Sequence, residues 1–119
     1  MKNIILGSVL AVAAVTSIPA HAVSFCSGGV AKDGAAATAA DTAFVKVVFT
    51  PKCSANVFLN GDDRSATVYT VGSASIKGKT KFGGSSVGGA VGNAGLCSGT
   101  NNLCSQTDSS DASNAAPSS

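Results

Sequence analysis

The chain has 119 residues, with eight Lys and Arg against six acidic residues, four Cys, 14 Gly, one Tyr and no Trp. That length holds one domain, and a formal charge of +2 falls short of the strongly basic face of a nucleic-acid binder, so no nucleic-acid partner is expected. All six acidic residues are Asp and the only histidine is His21, which leaves no Glu for acid–base work and little for a metal or cofactor to bind.

Residues 1–22 read as an export leader. Lys2 supplies the positive start, residues 4–15 are apolar apart from Gly7 and Ser8, and Ala20-His21-Ala22 ends on the small-x-small pattern a signal peptidase cuts. The apolar run is about a dozen residues, short of the roughly 20 that span a bilayer, so a mature chain starting at Val23 is expected to carry no transmembrane segment. Cys26 follows Val23-Ser24-Phe25, which does not suit a lipoprotein cut.

From residue 23 onward, Ala, Ser and Gly make up 43 of 97 residues, and Val, Ile, Leu, Phe and Tyr only 20. So little bulky surface buries too little area to offset chain entropy without a further constraint. Four cysteines in an exported chain supply it as two disulfides. Three connectivities are open; the turn-rich stretch 98–103 favours Cys97–Cys104, leaving Cys26–Cys53. A zinc site is disfavoured, because the closest cysteines have six residues between them and no histidine lies after residue 22.

In chain order, residues 23–42 read as a flexible Gly- and Ala-rich arm. Residues 43–50 carry the strongest strand pattern, with Ala43, Val45, Val47 and Phe49 on one buried face, and Pro51 ends it. A second strand over 55–59 is expected to turn at Asn60-Gly61-Asp62-Asp63 into a third over 65–71. A fourth extended stretch covers 75–82, and a weak fifth covers 86–91. Residues 105–119 hold no bulky apolar side chain and read as a disordered tail. The domain is therefore expected over 43–104: an all-β, disulfide-stapled antiparallel sandwich or sheet of about four to six strands.

Cys26 and Cys53 flanking a Phe- and Val-rich strand resemble, over about a quarter of the chain, the disulfide that ties the first two strands of chaperone–usher pilins. Residues 27–42 lack the alternating apolar arm that donor-strand pairing in that family requires.

Few motifs carry chemistry. Gly78-Lys79-Thr80 lacks the upstream glycine of a phosphate-binding loop, since Ser73 stands there. Asn60-Gly61-Asp62-Asp63 has no closing Glu for calcium, and Ser85-Ser86 has neither the G-x-S-x-G frame nor a histidine base. Neighbouring Asp62 and Asp63 diverge if extended, which does not suit paired-carboxylate hydrolysis. Lys77, Lys79 and Lys81 share one face of an extended stretch, so three ammonium groups suit an anionic glycan or other polyanion, or guard a sheet edge. No catalytic residue, metal or cofactor is expected, and the chain reads as non-enzymatic. The expected role is an exported surface or extracellular structural protein, such as a fibre or coat subunit or an adhesin. It would be secreted, periplasmic or on the cell surface, and its partners would be other copies or surface proteins. The alternative is a small binding module that uses the lysine strand or the glycine-rich loops.

Overall fold

The computed structural model describes residues 21–118, so the expected leader lies outside the described residues except for its last two positions. The fold is mostly β. Among the described residues, seven strands, β1 (His21–Ser27), β2 (Lys32–Asp33), β3 (Lys52–Cys53), β4 (Val57–Ser65), β5 (Val68–Ser75), β6 (Thr80–Ser85) and β7 (Gly92–Leu96), precede one α-helix, α1 (Gln106–Ala115). Among the described residues, β1-β4-β5-β6-β7 form one antiparallel sheet, and β2 with β3 a two-stranded ribbon.

The expected turn at Asn60-Gly61-Asp62-Asp63 is instead the middle of β4, and the chain reverses at Ala66-Thr67. All four residues are buried, and the strand's period of two gives each side chain a different neighbour. Phe58, Asn60 and Asp62 face the same way as Thr70, Gly72 and Ala74 of β5 and Lys81 and Gly83 of β6. Leu59 and Asp63 share the opposite face with Tyr69, Val71, Ser73 and Phe82. The expected fourth stretch becomes strand only from Thr80, and the fifth strand runs over Gly92–Leu96 in place of residues 86–91.

The tail expected to be disordered forms α1, packed on β4, β5 and β6. It needs no bulky residue, because the helix meets the sheet at backbone distance. A Cβ placed on Gly72 would lie 2.0 Å from the carbonyl oxygen of Ser109 and 2.4 Å from the amide of Ser113. One placed on Gly83 would lie 2.5 Å from the carbonyl oxygen of Ala112. Small residues on both sides replace interdigitated large ones, at the same close packing. Asn60 Oδ1 accepts from Ser24 Oγ at 3.2 Å and from the Gln106 amide, and Thr70 and Ser113 hydroxyls meet at 3.0 Å, whereas Gln106 Oε1 and Asp62 Oδ1 are buried without a hydrogen-bond partner.

The arm over 23–42 and the strand over 43–50 both differ from expectation. Residues 21–27 are β1, and a bulge between Ser24 and Cys26 lets Phe25 and Cys26 both point inside. Residues 32–53 then make one irregular hairpin, hereafter the strap. Beyond its β2–β3 ribbon, Gly34 N donates to Pro51 O at 2.8 Å, Ala37 N to Phe49 O at 2.8 Å, and Ala40 N to Val45 O at 3.1 Å. The strap crosses the sheet face opposite α1. It buries Ala37, Ala43 and Val45 there, while Val47 is 76% exposed and Phe49 46%.

Two small cores result. Phe25, Cys26, Ala37, Val45 and Cys53 cluster beneath the strap, and Phe58, Ala74, Cys97 and Cys104 cluster near the start of α1. The expected disulfides close, Cys26–Cys53 and Cys97–Cys104, one inside each cluster. In the chain-entropy model their loops contribute about 3.5 and about 2.5 kcal/mol, with the longer loop the larger.

Candidate functional surfaces

The three lysines do not stand in one row. Ile76 and Lys77 form the turn between β5 and β6, with Gly78 N donating to Ser75 O at 2.8 Å, and Lys79 precedes the first residue of β6. Only Lys81 lies within the strand, on the helix-covered face. Its Nζ sits 3.6 Å from Asp108 and 3.8 Å from Asp111. Lys77 and Lys79 remain exposed, and neither is in an ion pair among the described residues.

Asp108 is the most connected carboxylate. It is fully buried, Oδ1 accepts the amide and hydroxyl of Ser98, and Oδ2 accepts those of Ser105. Burial alone would raise its pKa, but the two backbone amides and then the two hydroxyls outweigh it, and the carboxyl sits below its ordinary value. Asp63 plays a similar part for the strap, accepting the amides of Phe44 and Val45 at 2.9 Å each. Asp62 faces the other way and lies 3.0 Å from the Arg64 guanidinium. Asp62 and Asp63 thus point to opposite faces of β4, and each holds structure in place. Among the described residues, no three His, Cys, Asp or Glu side chains gather closely enough to hold a metal ion. No helix among them is long and apolar enough to cross a membrane.

Sequence reasoning missed the Ser98–Ser105–Asp108 constellation. Ser105-x-x-Asp108 is the capping-box spacing, which marks a helix start even where no apolar run follows.

Four surfaces remain open among the described residues. The outer limb of the strap presents Val47, Val48 and Phe49 to solvent with Lys46 as the only charge between Ala43 and Pro51. At the far side of the sheet, β7 pairs only with β6 among the described residues. Its sequence, Gly-Asn-Ala-Gly-Leu, has neither the charge nor the proline that usually blunts an edge, and Leu96 is 64% exposed. The third is a groove of about 410 Å³ on the strap side of the sheet, past the strap's reach, at the start of β4, the end of β5 and the start of β6. Val57, Ser73, Ser75, Thr80 and Phe82 line it, and Lys79 stands at its rim. A second hollow of about 250 Å³, between β6, β7 and the end of α1, is lined by small uncharged residues such as Gly83, Ser85, Asn93 and Ala116.

No protein-family model, no curated protein and no solved structure matches the chain.

Proposed function

We propose that this is an exported, non-enzymatic structural protein of a cell surface or extracellular fibre or coat, whose copies join by strand addition. One pair of features carries the reading. The strap's outer limb is a β-prone, apolar segment with little cover, and β7 is an unguarded sheet edge. The strap's footing rests on Asp63 of β4 and Tyr69 of β5, so β6 lies between it and β7. They therefore do not meet within one chain, whereas the limb of one copy can add to the edge of the next. Such head-to-tail contact is heterologous, and it builds a filament wherever its rotation does not close into a ring. Closed disulfides fit the oxidising compartment that an exported protein enters.

Two exposed substitutions test this without touching the core: Val48→Lys on the strap and Leu96→Lys on β7. The wild-type chain should form linear assemblies in sedimentation and electron microscopy, and each variant alone should stay monomeric. Mixed, the variants retain one intact surface each and should stop at one-to-one dimers. A wild type that stays monomeric at every concentration overturns the reading.

A small binding module is the second reading, favoured by the groove beside Lys79.

A further inference from the structure

We propose that the groove beside Lys79 binds a small amphipathic carboxylate, its chain laid on Val57 and Phe82 and its head group on the Lys79 ammonium. This goes beyond the assembly reading and uses neither the strap nor β7.

The open space has a structural origin. The strap covers the sheet's outer face over residues such as Val23, Phe25, Leu59, Asp63 and Tyr69, and α1 covers the other face. The end of β5 and the start of β6 on the strap side have no element above them among the described residues. Phe82 is 43% exposed there although its strand is paired on both sides. A volume of about 410 Å³ falls in the range of small-molecule sites, about 300–1,000 Å³.

Charge selects the ligand class. Lys81 is held by Asp108 and Asp111 on the far face, and Lys52 by Asp33, but Lys79 and its neighbour Lys77 have no carboxylate partner among the described residues. Lys79 is the one ammonium lining the groove, and one such charge beside an apolar floor favours one anionic head with a hydrocarbon body. A polyanion would need a row of cations, which the inward turn of Lys81 breaks up. The Ser73 and Thr80 hydroxyls on the floor add polar contacts near the head group. Lys79 can lay its methylene stem along the groove while its ammonium stays at the rim.

Octanoate and the neutral octan-1-ol separate charge from burial, titrated into the full chain by calorimetry. Octanoate should bind once per chain, and octanol about three- to fivefold more weakly, the worth of one surface ion pair. Lys79→Gln should lower octanoate affinity to that of octanol and leave octanol unchanged. Phe82→Ser should weaken both by about tenfold, as expected for loss of a buried aromatic contact. Lys52→Gln, in the strap ribbon and outside the groove's lining, should change neither. Absence of saturable octanoate binding overturns the proposal, as does equal binding of both ligands with no effect of Lys79→Gln. Neither result bears on assembly, which the Val48→Lys and Leu96→Lys pair reads separately.

Discussion

Asp108 Oδ1 accepts both the amide of Ser98 at 2.8 Å and its hydroxyl at 3.0 Å, so one buried carboxylate closes the loop that the Cys97–Cys104 disulfide spans. Its other oxygen does the same for Ser105, at 2.9 and 3.0 Å. Ser98 and Ser105 each follow a bridged cysteine, so disulfide and carboxylate lock the same loop and fix where α1 begins. Asp108→Asn keeps the shape but removes the charge and half of the acceptors. It should lower unfolding free energy by about 2–4 kcal/mol at neutral pH, measured by urea titration.

The pH dependence of that loss has a definite sign. Because the folded Asp108 pKa lies below its unfolded value, its contribution is present above the ordinary carboxylate range and disappears as pH falls through the folded value. The gap between wild type and Asp108→Asn should therefore narrow as urea titrations move to acid. A gap that stayed constant to low pH would show that the variant disrupts packing alone.

Gly72→Ala tests the close seam. A methyl group 2.0 Å from the Ser109 carbonyl oxygen cannot be accommodated unless α1 moves. The expected cost is about 1–3 kcal/mol, the usual range for overpacking. Hydrogen exchange should show it locally, with α1 amides losing protection while β4 and β5 keep theirs. Uniform loss across the sheet would contradict a seam confined to the helix.

The strap shows how far the sequence could be read. The β-branched and aromatic content of 43–50 predicts a strand, but the segment is an irregular limb outside any strand, although Ala43 and Val45 do face inward. The same alternation placed Val47 and Phe49 inside, yet the limb leaves the sheet after Val45, once Asp63 has taken the amides of Phe44 and Val45. That anchor is 18 residues away in sequence and invisible to any local pattern. The helix was hidden for a different reason: apolar periodicity finds helices that bury large side chains, whereas α1 buries Ser109, Ala112 and Ser113 against glycines. The disulfide pairing was legible because one loop is short and turn-rich. The groove was not, since Val57 and Phe82 meet only through the strand register. Val45→Asp should then prevent folding or cost more than about 3 kcal/mol, and Val47→Asp should stay within about 0.5 kcal/mol of wild type. Equal damage from both would put Val47 back in the core.

Tyr69 gives the last test, and the composition makes it a clean one. It is the only tyrosine in a chain without tryptophan, so phenolate absorbance reads a single group. Tyr69 lies beneath the strap, its ring centroid 5.7 Å from that of Phe44. Burial first, then the charges of Asp63 and Asp62, push its pKa from 10.0 to about 12. A raised folded value means that the neutral phenol stabilises the fold fully below pH 10.0, and that this is lost as pH climbs towards about 12. Alkaline titration should therefore show a midpoint near 12 in the folded chain and near 10 in denaturant. Tyr69→Phe should remain folded further into alkali than wild type, because it has no phenolate to bury beside two carboxylates. A folded-state midpoint at the ordinary value would mean that the strap does not shield Tyr69, and with it the anchoring of Phe44 and Val45 on Asp63 would fail.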